Sequence, residues 1–71
     1  MKHLQGLAGA LSAVENAIEG TSYEWLLRQD GTKYMANIYD NTTAVGFPSY
    51  SSTPAAALVY SLAAFQLRSN K

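Results

Sequence analysis

The spacing of apolar residues changes twice along the chain, and the changes mark its elements. Leu4, Leu7, Leu11, Val14 and Ile18 recur three and four positions apart. That is one narrow stripe on a helix. Gly20 is a natural stop, because the residue after a helix favours a left-handed backbone. From Tyr23 to Asp40 the period falls to two. This segment reads as a β-hairpin around Asp30-Gly31, a pair suited to the positive φ angles of a type I′ turn. That turn sets Arg28 against Lys33, Leu27 against Tyr34, Trp25 against Ala36 and Tyr23 against Ile38. Residues opposite each other share a face. One face is then Tyr23, Trp25, Leu27, Tyr34, Ala36 and Ile38, which is core-like. The other is Glu24, Leu26, Arg28, Lys33, Met35, Asn37 and Tyr39, which is mixed.

After a polar turn, DNTT (40–43), the segment TAVGF returns as a third strand with Val45 and Phe47 on the core face. Pro48 is expected to end that strand, since it cannot donate to the ladder. The helical period resumes after Pro54. Thr53 is a good N-cap, and Pro54 sits at the first helical position, where its missing N–H costs nothing. Leu58, Leu62 and Phe65 form the core stripe of this last helix, with Ala55 and Val59 beside it. Ala56, Tyr60, Ala63 and Leu67 carry apolar surface toward the opposite side. Only Ser61, Gln66 and Arg68 are polar within its body.

The order α-β-β-β-α predicts a single α+β domain over 1–71: a three-stranded antiparallel meander with two helices packed on it. Two helices packed antiparallel over one face give a two-layer domain. Helices on opposite faces would give an α/β/α sandwich. Arg28 and Lys33 on the second face favour two layers. A helix apolar nearly all round is either enclosed or makes two contacts. A chain of 71 residues cannot enclose it. Tyr60, Ala56, Leu67 and Ala64 are therefore expected to face a second surface, most simply another copy of the chain.

Composition sharpens this picture. The chain has no Cys, so neither a disulfide nor a thiolate metal site supplements a core that buries only about 60% of the unfolded surface. Oligomerisation is a common remedy for so small a domain. The lack of Cys fits a cytosolic protein. Five basic and five acidic residues cancel, and Lys2, Arg28, Lys33, Arg68 and Lys71 are scattered. A duplex-DNA binder would carry a basic footprint. Charged residues make up 14% of the chain against about 25% in an ordinary domain, which leaves a surface suited to close contact. The opening MKHLQGLAGALSAV imitates a secretory leader, but Gln5, Gly6 and Gly9 break its apolar run. No run reaches the roughly 18 to 20 apolar residues of a membrane span.

The residues argue against catalysis. His3 is the single imidazole, at a terminus prone to fraying. A zinc site needs three or four ligands, and a serine nucleophile needs a base that only His3 could supply. Glu15 and Glu19 lie one helical turn apart on a solvated flank. No catalytic residue, metal or cofactor is expected. Binding features are better supported. Tyr50, Ser51, Ser52 and Thr53 surround the start of the last helix, whose free N–H groups and dipole suit a phosphate; Tyr50 could stack on a base. Arg28 or Arg68 from a neighbouring copy would add charge. On the mixed sheet face Leu26, Met35 and Tyr39 suit a protein interface instead.

The hairpin residues Trp25, Arg28, Tyr34, Ala36 and Ile38, followed by Gly46 to Phe65 with its TPAAALVYSLAAF, resemble small phage proteins of the phage ABA-sandwich domain family. The resemblance covers residues 23–67. It implies helices on both sheet faces, which the residue pattern disfavours, and it brings no catalytic residues. It further implies a small accessory protein acting on a bacterial host, in the host cytoplasm. The expected function is antagonism of host defence by a homo-oligomer that sequesters a nucleotide-derived signal. The alternatives are an inhibitor of a host defence or regulatory protein, and a small structural or assembly protein.

Overall fold

The computed structural model describes the backbone of residues 2–69 and the side chains of residues 6–68. His3 and Leu4, singled out above, lie outside the described side chains. The elements are α1 (Lys2–Ile18), β1 (Tyr23–Asp30), β2 (Lys33–Asp40), β3 (Val45–Ser51) and α2 (Pro54–Ser69). The strands form an antiparallel meander in the order β1-β2-β3. This is the expected α+β, α-β-β-β-α fold. Gly20 stops α1 as its sequence suggests, with φ at +79°, and the Thr21 N–H closes the end by donating to Ile18 O at 3.0 Å.

The hairpin pairs two residues away from the expected register. Asp30 faces Lys33, so the turn is Gly31-Thr32, and Arg28 faces Met35, Leu27 faces Ala36 and Trp25 faces Ile38. Of the turn residues only Gly31 takes a positive φ, +66°. A Gly in the first central position meets the demand of a type II′ turn without strain. The slip equals one period of the strand, so every side chain keeps its predicted face.

Pro48 does not end β3, which continues to Ser51. It sits opposite Asn37. The neighbouring Phe47 N–H points toward β2, where it donates to Asn37 Oδ1 at 3.0 Å. Successive N–H groups alternate in direction, so the N–H that Pro48 lacks would have faced the free edge. Proline is tolerated on an edge strand in that orientation.

Both helices lie on one face, giving two layers; the sandwich arrangement is not formed. Ala10 and Val14 of α1, Ala57, Leu58 and Phe65 of α2, and Ala36 and Ile38 of β2 make one buried cluster. Tyr23, Trp25, Leu27, Tyr34 and Phe47 pack against it half-buried. The helices run in the same direction, not antiparallel. A three-stranded meander gives β1 and β3 one direction; α1 ends where β1 begins and α2 begins where β3 ends. Both helices therefore run against those strands and alongside each other. A Cβ built at Gly6, early in α1, would lie 3.9 Å from the Ala55 Cβ, early in α2.

Two details of the helix stripes differ from expectation. Ala10 takes the buried place in α1, while Leu7 is 37% exposed. In α2, Ala57 and Ser61 join Leu58 and Phe65 in the interior, while Val59 is 49% exposed. Ser61 is fully buried. Its hydroxyl accepts from Ile38 N–H at 3.1 Å and donates to Phe47 O at 2.6 Å. It thereby ties α2 to both β2 and β3. A buried hydroxyl without partners would cost about 1–3 kcal/mol, and here both of its bonding roles are filled.

Candidate functional site on the open sheet face

The second face of the sheet carries no helix. Its rows run Glu24–Tyr39–Gly46, Leu26–Asn37–Pro48 and Arg28–Met35–Tyr50. Leu26, Met35 and Tyr39 are half-buried by their neighbours alone, and Tyr50 is 57% exposed. Alternation along the strands puts these side chains here, because Tyr23, Trp25 and Leu27 of β1 and the even positions of β2 face the helices.

Gly46 shapes the middle of the face. A Cβ at this position would lie 3.0 Å from Asn37 Oδ1 and 3.3 Å from Tyr39 Cβ. Glycine thus gives the Asn37 amide room to lie across β3 and reach the Phe47 N–H. Beside it opens a shallow cleft of about 300 Å³ among Leu26, Asn37, Tyr39, Asn41 and Ala44. That is the lower limit of volumes that hold small ligands, roughly 300–1,000 Å³. Ala44 holds a left-handed φ of +61° in the turn at the cleft's end.

Tyr39 Oη donates to Glu24 Oε1 at 3.3 Å. Desolvation, and then the adjacent Glu24 carboxylate, raise the phenol above its ordinary pKa. At neutral pH Tyr39 therefore remains a neutral donor. At the same end of β2, on the covered side, Asp40 is only 6% exposed. Its carboxylate accepts from Thr42 N–H at 2.9 Å, Thr42 Oγ1 at 2.7 Å and Ser22 Oγ at 2.9 Å. These bonds, led by the Thr42 hydroxyl, hold its pKa below the ordinary value.

The residues singled out from sequence fall into four places. Arg28, Leu26, Met35, Tyr39 and Tyr50 share the open face. Ser51 closes β3, and Ser52 and Thr53 follow it exposed. The Thr53 hydroxyl is engaged, accepting from Ala56 N–H at 3.2 Å as a helix cap. Arg68 lies at the far end of α2, its guanidinium carbon 4.9 Å from the Tyr23 ring centre and 4.6 Å from that of Phe65. A single copy therefore does not bring Arg68 to the Ser/Thr loop. Tyr60 and Leu67 are 58% and 68% exposed on the outer side of α2, with Ala56 partly buried and Ala64 partly buried.

Asn37, Gly46, Ser61 and Asp40 escaped the sequence reading. Ser61 had a signal, since it lies three residues after Leu58 and four before Phe65, on the core stripe. Asn37 and Gly46 had none, because their partnership depends on the β2–β3 register.

Among the described residues no three His, Cys, Asp or Glu side chains cluster as metal ligands would. Among the described residues, no helix is long and apolar enough to cross a membrane. Compared with known proteins, the chain matches no family model, no curated protein and no solved structure.

Proposed function

We propose that this is a small non-enzymatic binding protein of phage type that antagonises a host defence, working as an inhibitor of a host protein through its open sheet face. One observation carries the reading. A whole sheet face is left uncovered, and inside a charged margin of Glu24, Arg28, Asp30 and Lys33 it presents Leu26, Met35, Tyr39 and Tyr50. Aromatic side chains and Met are enriched where proteins meet, and charges are depleted at the centre of such patches. The bacterial cytoplasm and a homo-oligomeric state belong to the same proposal.

Capture of a nucleotide-derived signalling molecule is the second reading. The observation in its favour is that Arg28 and Tyr50 stand on one row of the open face, on either side of Met35. A guanidinium and an exposed ring at that spacing suit an anionic, stackable ligand. Against it, the Thr53 hydroxyl already caps α2.

Native mass spectrometry on protein purified gently from its natural host separates the two. A co-purifying host protein that is lost on Tyr39→Ala, and retained on Ser52→Asp, supports the inhibitor. A retained mass of nucleotide size, lost on Ser52→Asp or Arg28→Ala, supports capture. A bare chain in every preparation would sink both.

A further inference from the structure

The two edges of the sheet are built differently. Pro48 removes an N–H from the free edge of β3, and α2 packs over that strand. β1 is eight residues long with neither Pro nor Gly. Asp30 and Lys33 flank a two-residue turn and so form a hydrogen-bonded pair. Alternation then turns the N–H groups of Trp25, Leu27 and Gln29 toward the free edge. The core is thinnest at this edge. Ala36 and Ile38 of β2 are fully buried, whereas Trp25 and Leu27 are only half-buried. Leu7 of α1, the helix that touches β1, is 37% exposed. A long edge strand left uncovered, without Pro or Gly, is a template for another strand.

We propose that β1 pairs antiparallel with β1 of a second copy, in the register that places Leu26 opposite its own counterpart on a two-fold axis. Charge selects both the occupant and the register. Glu24 and Arg28 lie on one face of the strand, about 13 Å apart at the usual strand rise, too far to pair within a chain. In this register Glu24 of each copy lies opposite Arg28 of the other, twice over, and Trp25 lies opposite Leu27. Opposed unlike charges stabilise a strand pair and opposed like charges destabilise it. Only slips by whole pairs keep the same N–H groups facing each other and the same side chains on the core face. One such slip sets Glu24 against Asp30. The other sets Glu24 against Leu26 and Arg28 against Ser22. Neither matches the charges. The pairing covers the half-buried Trp25 and Leu27, and it joins the two open faces into one continuous surface.

Sedimentation equilibrium on charge-swapped chains tests this. Wild-type protein is expected at twice 7.7 kDa. Glu24→Arg alone and Arg28→Glu alone each oppose like charges at both ends of the pair. Each is expected to remain folded by circular dichroism and to fall to the mass of one chain. Mixed in equal amounts, the two variants are complementary at both ends and are expected to return to the double mass. Wild type at the mass of one chain would overturn the proposal, including where the edge instead takes an extended segment of another protein. Swapped variants that stay double, or that fail to recombine on mixing, would overturn it as well.

Discussion

β2 belongs to two environments at once. Its even positions Ala36, Ile38 and Asp40 are buried, and its odd positions Met35, Asn37 and Tyr39 stand on the uncovered face. On the covered side polar groups are satisfied within the chain. Asp40 is held by Thr42 and Ser22, and Ser61 is held between Ile38 and Phe47. On the open side the cleft and the exposed rings leave contacts to be made. The two faces of one strand thus divide the work: even positions hold the fold, and odd positions are available for recognition.

The largest effect tests that division directly. Ile38→Ala is expected to cost about 2–5 kcal/mol, because it removes fully buried volume from the centre of the cluster. A domain of this size has only about 4–11 kcal/mol to lose. Met35→Ala, three residues along the same strand and on the other face, is expected to cost about 0.5 kcal/mol or less. Urea denaturation of the two variants measures the difference. Equal losses would mean that the open face is as structural as the covered one.

Ser61→Ala comes next. It removes a small buried hydroxyl and leaves Ile38 N–H and Phe47 C=O without that partner. The expected loss is about 1–3 kcal/mol, with faster amide exchange at Ile38. Asn37 holds the neighbouring Phe47 N–H from the open side. There water can take its place, so Asn37→Ala is expected to cost less. The opposite order would break the comparison between faces.

The faces themselves were legible in the sequence because alternation survives a slip of one full period. The hairpin register was misjudged by two residues, yet Trp25, Leu27, Ala36 and Ile38 still fell on the core side. Strand ends and helix directions were harder to read. Pro48 looked like a terminator because the sequence does not state which way its missing N–H would have pointed. The expected antiparallel packing considered the helices as a pair, whereas three intervening strands make them parallel. The open-face residues Leu26, Met35 and Tyr39 were recognisable as a group, since all three share one parity. The Asn37–Gly46 contact was not, because it joins two strands through a register that only the folded sheet defines.

The smallest expected effect depends on pH and falls on the covered face. Asp40, on the covered face, has a folded pKa depressed by hydrogen bonds from Thr42 and Ser22. A depressed carboxylate favours the folded state while it is ionised. Its contribution is therefore complete above the ordinary carboxylate value of about 3.9. It is lost as pH falls through Asp40's own lower value. Stability measured by urea denaturation should then decline on acidification through that window. Asp40→Asn, which keeps the shape but cannot ionise, should be less stable at neutral pH and should show a flatter acid limb. If Asp40→Asn kept an acid limb as steep as that of the wild type, the acid sensitivity of the fold would not lie at this buried carboxylate, and the division of labour between the two sides of β2 would have to be redrawn.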